Sequence, residues 1–216
     1  MSISTRNTAQ TGVPVGLRER QKVKRQAAIL NAARELFPSL GYQGTSMEAI
    51  AETAEVGVAT VYNYFGTKGG LLAAILRPEF TSLKEQGARL LAEPGTDSVT
   101  SVQALVNIYR HFQNDWASRK LLSAIIGPGL SAEPILDQLS EEAESQLKAQ
   151  LRELLLGYQE RGQILSSIDA DDAAMIVFCI FNQHFIDYVM HDNHAFDSMA
   201  ADMDRQIKLL ITGISC

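Results

Sequence analysis

Between Thr45 and Leu72 the chain reads TSMEAIAETAEVGVATVYNYFGTKGGLL, and this stretch constrains the fold more than any other. Thr45 opens a T-x-x-E pattern, a spacing that caps a helix start reciprocally through the Thr45 hydroxyl and the Glu48 carboxylate. Met47, Ile50, Ala51 and Ala54 then recur every three or four residues, which predicts one short amphipathic helix. Glu55-Val56-Gly57 interrupts the pattern, and a second short helix from about Val58 to Phe65 follows. Helix, three-residue turn and helix form the unit that lays its second helix in a DNA groove.

At 100° per residue, Val58, Val61 and Phe65 share one side of the second helix, Ala59 and Asn63 the other, with Thr60 and Tyr62 flanking. The outer side chains are small or polar, so the helix can approach base edges. Thr60, Tyr62 and Tyr64 offer hydroxyls to phosphate oxygens, and the Asn63 amide can pair with adenine. Lys68 begins the next helix, where its charge and the free N–H groups both suit a phosphate.

These residues resemble the tetracycline-repressor (TetR) family of bacterial transcription regulators. The resemblance rests on Gly41-Tyr42-x-x-Thr45-Ser46, Ile50-Ala51, Val56, Thr60-Val61-Tyr62-Asn63-Tyr64-Phe65, Thr67-Lys68 and Leu71-Leu72, within roughly residues 27–72. Beyond that span only length and helix pattern fit. The resemblance implies an all-α chain of about nine helices, with an N-terminal three-helix DNA-binding domain and a C-terminal helical domain for ligand binding and dimerisation. It implies DNA contact at Thr45, Ser46, Val58, Ala59, Thr60, Tyr62, Asn63, Tyr64 and Lys68. Two positions depart from the pattern: Glu55 stands where the family usually has glycine, and Pro38 sits in the last turn of the preceding helix.

A net charge of −6 taken alone disfavours a nucleic-acid partner, so its distribution matters. Residues 1–77 hold nine Lys/Arg against five Asp/Glu, a balance of +4, and the remainder ten against twenty, a balance of −10. The basic part is the part with the helix–turn–helix. The longest apolar run, Ala173 to Phe181, is half the length needed to cross a bilayer, and the N-terminus has no basic-then-apolar signal pattern. A cytoplasmic protein with no membrane contact is expected. Two cysteines, Cys179 and Cys216, supply no disulfide framework; Cys179 reads as a core filler.

Residues 1–17 carry no periodicity and read as a flexible tail, with 18–66 the helix–turn–helix domain and 67–216 the body. The first helix is expected over 18–39, buried through Val23, Ala27, Leu30, Ala33 and Phe37 and ended by Gly41. Arg6 and the basic run from Arg18 to Arg25 are candidates for neutralising phosphates. A fourth helix begins at Thr67 or Lys68, reaches about Leu91 and is interrupted by Pro78, where a kink is expected. A fifth carries Val102, Leu105, Tyr109, Phe112 and Trp116, and a sixth ends at Gly127-Pro128-Gly129. A seventh starts at Pro134, with Leu136, Leu139, Ala143, Leu147, Leu151, Leu154 and Tyr158 inward. An eighth is capped by Asp169, and a ninth ends near Thr212.

Being apolar all round from Ala173 to Phe181, the eighth helix needs neighbours on every side, which points to a partner chain. Met199, Met203, Gln206 and Leu210 give the ninth helix a seam to pair with it, and the resemblance implies a homodimer through these last two helices, reading a palindromic operator. The resemblance also implies a small-molecule effector among the middle helices. The aromatic lining expected there is Tyr109, Phe112, Trp116 and Phe178, with Leu122, Tyr158, Phe181 and Phe185; Asn182, His111 and Asp115 are the polar candidates. Ordinary core explains aromatics at helical spacing equally well. His184, Asp187 and His191 share a helix face at metal-ligand spacing, yet such rows more often lie at a wet helix end, so no metal and no cofactor is expected.

The sequence therefore reads as a dimeric, sequence-specific transcriptional regulator, a repressor released from its operator by an effector. The alternative is a helical protein-interaction adaptor that keeps the helix–turn–helix shape without binding DNA. No nucleophile elbow, phosphate-cradling glycine loop or H-E-x-x-H is present, so an enzyme is not expected.

Overall fold

The computed structural model describes residues 16–111, 119–123, 133–191 and 195–216, with the His111 side chain left out. Residues 1–15 with Arg6, the segment holding Phe112, Asp115 and Trp116, the Gly127-Pro128-Gly129 stop and His194 lie outside them. The described residues form nine helical segments: α1 Leu17–Gly44, α2 Met47–Thr53, α3 Val58–Phe65, α4 Lys68–Ala92, α5 Ser98–His111, α6 at 119–123, α7 Pro134–Glu160, α8 Ala170–Met190 and α9 Phe196–Gly213.

The first helix stands off from the rest before it packs. Residues 17–27 are exposed on every side, and burial begins only at Ile29. Val23, expected inside, is 57% exposed: the buried stripe is Ile29, Ala32, Ala33 and Phe37, and the protein body does not reach the helix's first three turns. Gly41 breaks α1 with φ 75°, as its place after the apolar stripe predicts.

The cap of α2 falls one residue later than T-x-x-E predicts. Ser46 is the N-cap, its Oγ accepting from the Ala49 N–H at 3.1 Å. Thr45 is buried instead, its N–H and hydroxyl both directed to the Gly41 carbonyl, at 3.1 and 2.7 Å, so it closes the α1–α2 corner. The turn that follows needs a left-handed residue, and Glu55 supplies it at φ 53°, the sole non-glycine with positive φ among the described residues.

Helix α4 is continuous through Pro78. Its first half packs into the head, and there Ile29, Phe37, Ile50 and Val61 share one core with Leu71, Leu72, Ile75 and Leu76. Leu121 of α6 and Leu136 and Leu139 of α7 complete that core, so head and body are joined by apolar contact rather than by a linker. Its second half enters the body core of α5, α7, α8 and α9 through Leu83, and Phe80 packs against both cores. At about 1.5–3 kcal/mol for each fully buried large aliphatic, this continuity resists separation of the two parts.

Pro134 opens α7 at its first turn, and Gly162, at φ 69°, follows its end. Asp169 caps α8 by accepting from the Asp171 and Asp172 N–H groups at 2.7 and 3.2 Å, a cap worth about 1 kcal/mol. By length and hydropathy α8 resembles a membrane span, but its inner side is buried among α7 and α9. Met199 and Met203, expected in a seam toward a partner, are buried in the chain's own core with Ile207 and Ile211. The unpartnered surface lies one position round. Met175, Ile176 and Cys179 on α8 and Leu209 on α9 are exposed, so Cys179 is not a core filler.

Candidate DNA interface and effector cavity

Helix α3 is held by its inner face alone. Val61 is fully buried and Val58 and Phe65 pack against the head core, while Ala59, Tyr62 and Asn63 are exposed and Thr60 half-buried. Apolar residues at 58, 61 and 65 leave 59, 62 and 63 facing out. Tyr64 departs from its expected role, since its hydroxyl turns back and donates to the Lys22 carbonyl of α1 at 3.4 Å.

Lys68 also differs from a free phosphate-seeking cation. Its Nζ donates to the Tyr42 carbonyl at 2.7 Å and the Thr45 carbonyl at 3.0 Å and lies 4.5 Å from the centre of the Tyr42 ring. Burial pulls the ammonium below its usual pKa, and the neighbouring Glu133 charge offsets part of that. Ser46 is exposed at the start of α2, whereas Thr45 shows only 1% of its surface, which removes its side chain from any groove. The exposed start of α1 adds Arg18, Arg20, Lys22, Lys24 and Arg25 against one acid, Glu19.

In the body a cavity of about 250 Å³ lies between α4, α5, α6, α7 and α8. Phe80, Tyr109, Phe178, Phe181 and Phe185 give it aromatic walls with Leu83, Leu122 and Leu147, and Ser140, Glu144 and Asn182 bring polar groups to its edge. Tyr109, Phe178 and Asn182 were expected here; Phe112 and Trp116 lie outside the described residues. Tyr158 does not line it, being buried elsewhere with its hydroxyl 2.6 Å from both the Gly95 carbonyl and Ser101 Oγ. The Tyr109 hydroxyl donates to Gln150 Oε1 at 2.8 Å, and burial pushes that phenol far above its ordinary pKa.

The model of the bacterial regulatory proteins of the tetR family matches residues 29–75. Residues 29–75 thus carry a tetR-family domain. Over 121 residues the chain is 31% identical to the transcriptional repressor KstR of Rhodococcus jostii, a match covering 53% of this chain and 56% of that repressor. The chain thus spans little more than half the length of that relative. It is 25% identical over 207 residues to the fatty acid metabolism regulator protein of Bacillus subtilis, covering 90% of this chain and 98% of that protein. Among solved structures, a TetR-family regulator from Mesorhizobium loti superposes with TM-score 0.71 at 21% identity, over 91% of this chain and 99% of the other. The Bacillus subtilis regulator FadR in complex with stearoyl-CoA gives 0.67 at 20% identity, over 87% and 98%.

Several residues that build the two candidate sites escape a reading by periodicity. Phe80 lies two residues after Pro78, where a kink is the expected event. Glu133 precedes α7 as an ordinary acidic residue, yet its carboxylate meets Tyr42, Thr67 and Gly69 of the head. Gln150 sits on the apolar stripe of α7 and bridges Tyr109 to the Lys84 carbonyl. The metal-spaced row is otherwise engaged: His184 Nε2 lies 3.2 Å from Gln206 Oε1 and His191 Nδ1 3.1 Å from the Asp187 carbonyl.

Proposed function

We propose that this chain is a sequence-specific DNA-binding transcriptional regulator, acting as a homodimer and releasing its operator when a small apolar effector occupies the body. The observation that carries the reading is α3. A short helix anchored by Val61 presents Ala59, Tyr62 and Asn63 outward beside a basic stretch of α1, the arrangement that direct readout in a major groove requires. Asn63 reads a base edge, Thr60, Tyr62 and Ser46 contact phosphates, and Val58 and Ala59 allow close approach. Tyr64 and Lys68 act mainly by fixing the head, Tyr64 against α1 and Lys68 across the α1–α2 corner.

The exposed apolar strip of Met175, Ile176, Cys179 and Leu209 supports pairing of two copies through α8 and α9. Two-fold pairing sets two α3 helices on successive turns of one duplex, about 34–36 Å apart, which suits a palindrome. The effector belongs in the aromatic cavity. One structural neighbour holds stearoyl-CoA, and the lining here likewise suits a hydrocarbon or aromatic body with a polar group near Ser140 and Asn182. The relatives are bacterial transcription regulators, in keeping with a cytoplasmic protein.

Selection of bound fragments from a random duplex pool tests the reading. An enriched palindromic site, released by an apolar compound from a screen, is the expected result; a pool that stays random at low salt overturns it.

A further inference from the structure

Glu133 lies outside the head in sequence and inside it in space. Its Oε1 accepts from the Tyr42 hydroxyl at 3.1 Å and from the Gly69 N–H at 3.3 Å, and its Oε2 from the Thr67 hydroxyl at 3.0 Å. Three donors from the end of α1 and the start of α4 thus converge on one carboxylate that arrives from the foot of α7. Gly69 makes room for it: a Cβ there would lie 2.7 Å from the Glu133 Cδ. Burial, then the Glu133 charge and its hydrogen bond, push the Tyr42 phenol far above its ordinary pKa, so the tyrosine stays the donor of that bond.

The donors stand beside the proposed DNA face, since Thr67 is exposed directly after α3. A carboxylate seated there takes hydrogen-bond donors from a backbone phosphate and repels it. The same carboxylate is tied to the effector cavity. Ser140 and Glu144, on the helix that Glu133 precedes, line that cavity, and at 1.5 Å per residue they lie only about 10–17 Å away. A shift of about 1 Å in α7 carries contacts of this length beyond hydrogen-bonding distance.

We propose that Glu133 is an autoinhibitory plug, a carboxylate that the body inserts into the head, weakening DNA binding while seated and strengthening it when withdrawn. The proposal rests on the DNA-binding reading above. A cavity occupant favouring the seated position of α7 lowers DNA affinity, and one favouring the withdrawn position raises it, in proportion to its preference between the two.

The test uses the full chain with Glu133→Gln, which removes the charge and keeps the shape, and Gly69→Ala, which leaves Glu133 in the chain and expels its carboxylate. Binding of a labelled random duplex is measured across a salt series. Both variants are expected to bind about threefold to tenfold more tightly than the unaltered chain at low ionic strength. Their advantage should be largest at low salt and shrink as salt rises, because the repulsion that is relieved is screened. If the unaltered chain binds duplex and neither variant binds more tightly, Glu133 is a structural strut and the plug is overturned. If no form binds duplex, the DNA-binding reading fails and the plug falls with it. Binding by the variants alone supports both.

Discussion

Gly87 of α4 and Gln150 of α7 are fitted to each other: a Cβ on Gly87 would lie 2.7 Å from the Gln150 Cδ and 2.8 Å from its Nε2. That amide is buried, and both of its ends are used, Oε1 by the Tyr109 hydroxyl at 2.8 Å and Nε2 by the Lys84 carbonyl at 2.9 Å. Gly87→Ala therefore has to expel a satisfied buried amide. Overpacking and the orphaned polar atoms together should cost about 2–4 kcal/mol, although alanine is the better helix former. Urea denaturation measures this; a stabilised variant would mean that Gln150 turns aside freely.

Glu55 holds φ 53° in the turn between α2 and α3, where an L-residue with a Cβ is strained. Glu55→Gly relieves that strain and gives back part of the gain as unfolded-chain entropy, leaving a net stabilisation of about 0.5–1 kcal/mol. The variant also removes an acid beside the proposed DNA face. Affinity for random duplex should rise modestly at low salt and converge with that of the unaltered chain at high salt. Equal melting temperatures for the two proteins would contradict the strain argument.

Local chemistry made much of this molecule legible in the sequence. Gly41, Pro134, Asp169 and Gly162 each act within a turn of their own position, and the helices they bound fall where capping and proline rules place them. The faces of α3 follow from three apolar residues in eight. Periodicity identifies which residues share a face, but not how far a neighbour extends. Hence Val23 continues the α1 stripe into solvent, and Met199 and Met203 are claimed by the chain's own core instead of a seam. Competition between adjacent caps is equally invisible, since Thr45 and Ser46 carry the same group and only the Gly41 corner decides that Thr45 turns inward. Glu133 was beyond reach because its partners lie 64 to 91 residues away in the chain.

Asn63 and Lys68 should separate recognition from architecture. Asn63 is exposed on α3, so Asn63→Ala should leave the melting temperature unchanged and lower the preference for the selected operator over random duplex by about 1–3 kcal/mol. Lys68 binds two carbonyls across the α1–α2 corner, so Lys68→Ala should destabilise the fold by about 1–3 kcal/mol and weaken binding to all sequences alike. Parallel melting and binding curves check both. A stable Lys68→Ala protein with a flattened salt slope would return Lys68 to direct phosphate contact.

Ile176 and Leu209 test the pairing surface. They are 48% and 77% exposed, and Met175 at 46% and Cys179 are exposed on α8 as well, so two adjoining helices both carry apolar side chains in the open. A charge at either position costs little in a monomer, because the side chain already faces water. Inside a dimer the same charge is buried without a partner, at several kcal/mol per chain. Ile176→Asp and Leu209→Asp should therefore keep the helical circular dichroism signal and the monomer's stability while sedimenting at half the mass. Operator affinity should then fall by about 10²–10⁴, the advantage that tethering two heads confers. Dimers that persist in both variants would move the interface away from α8 and α9.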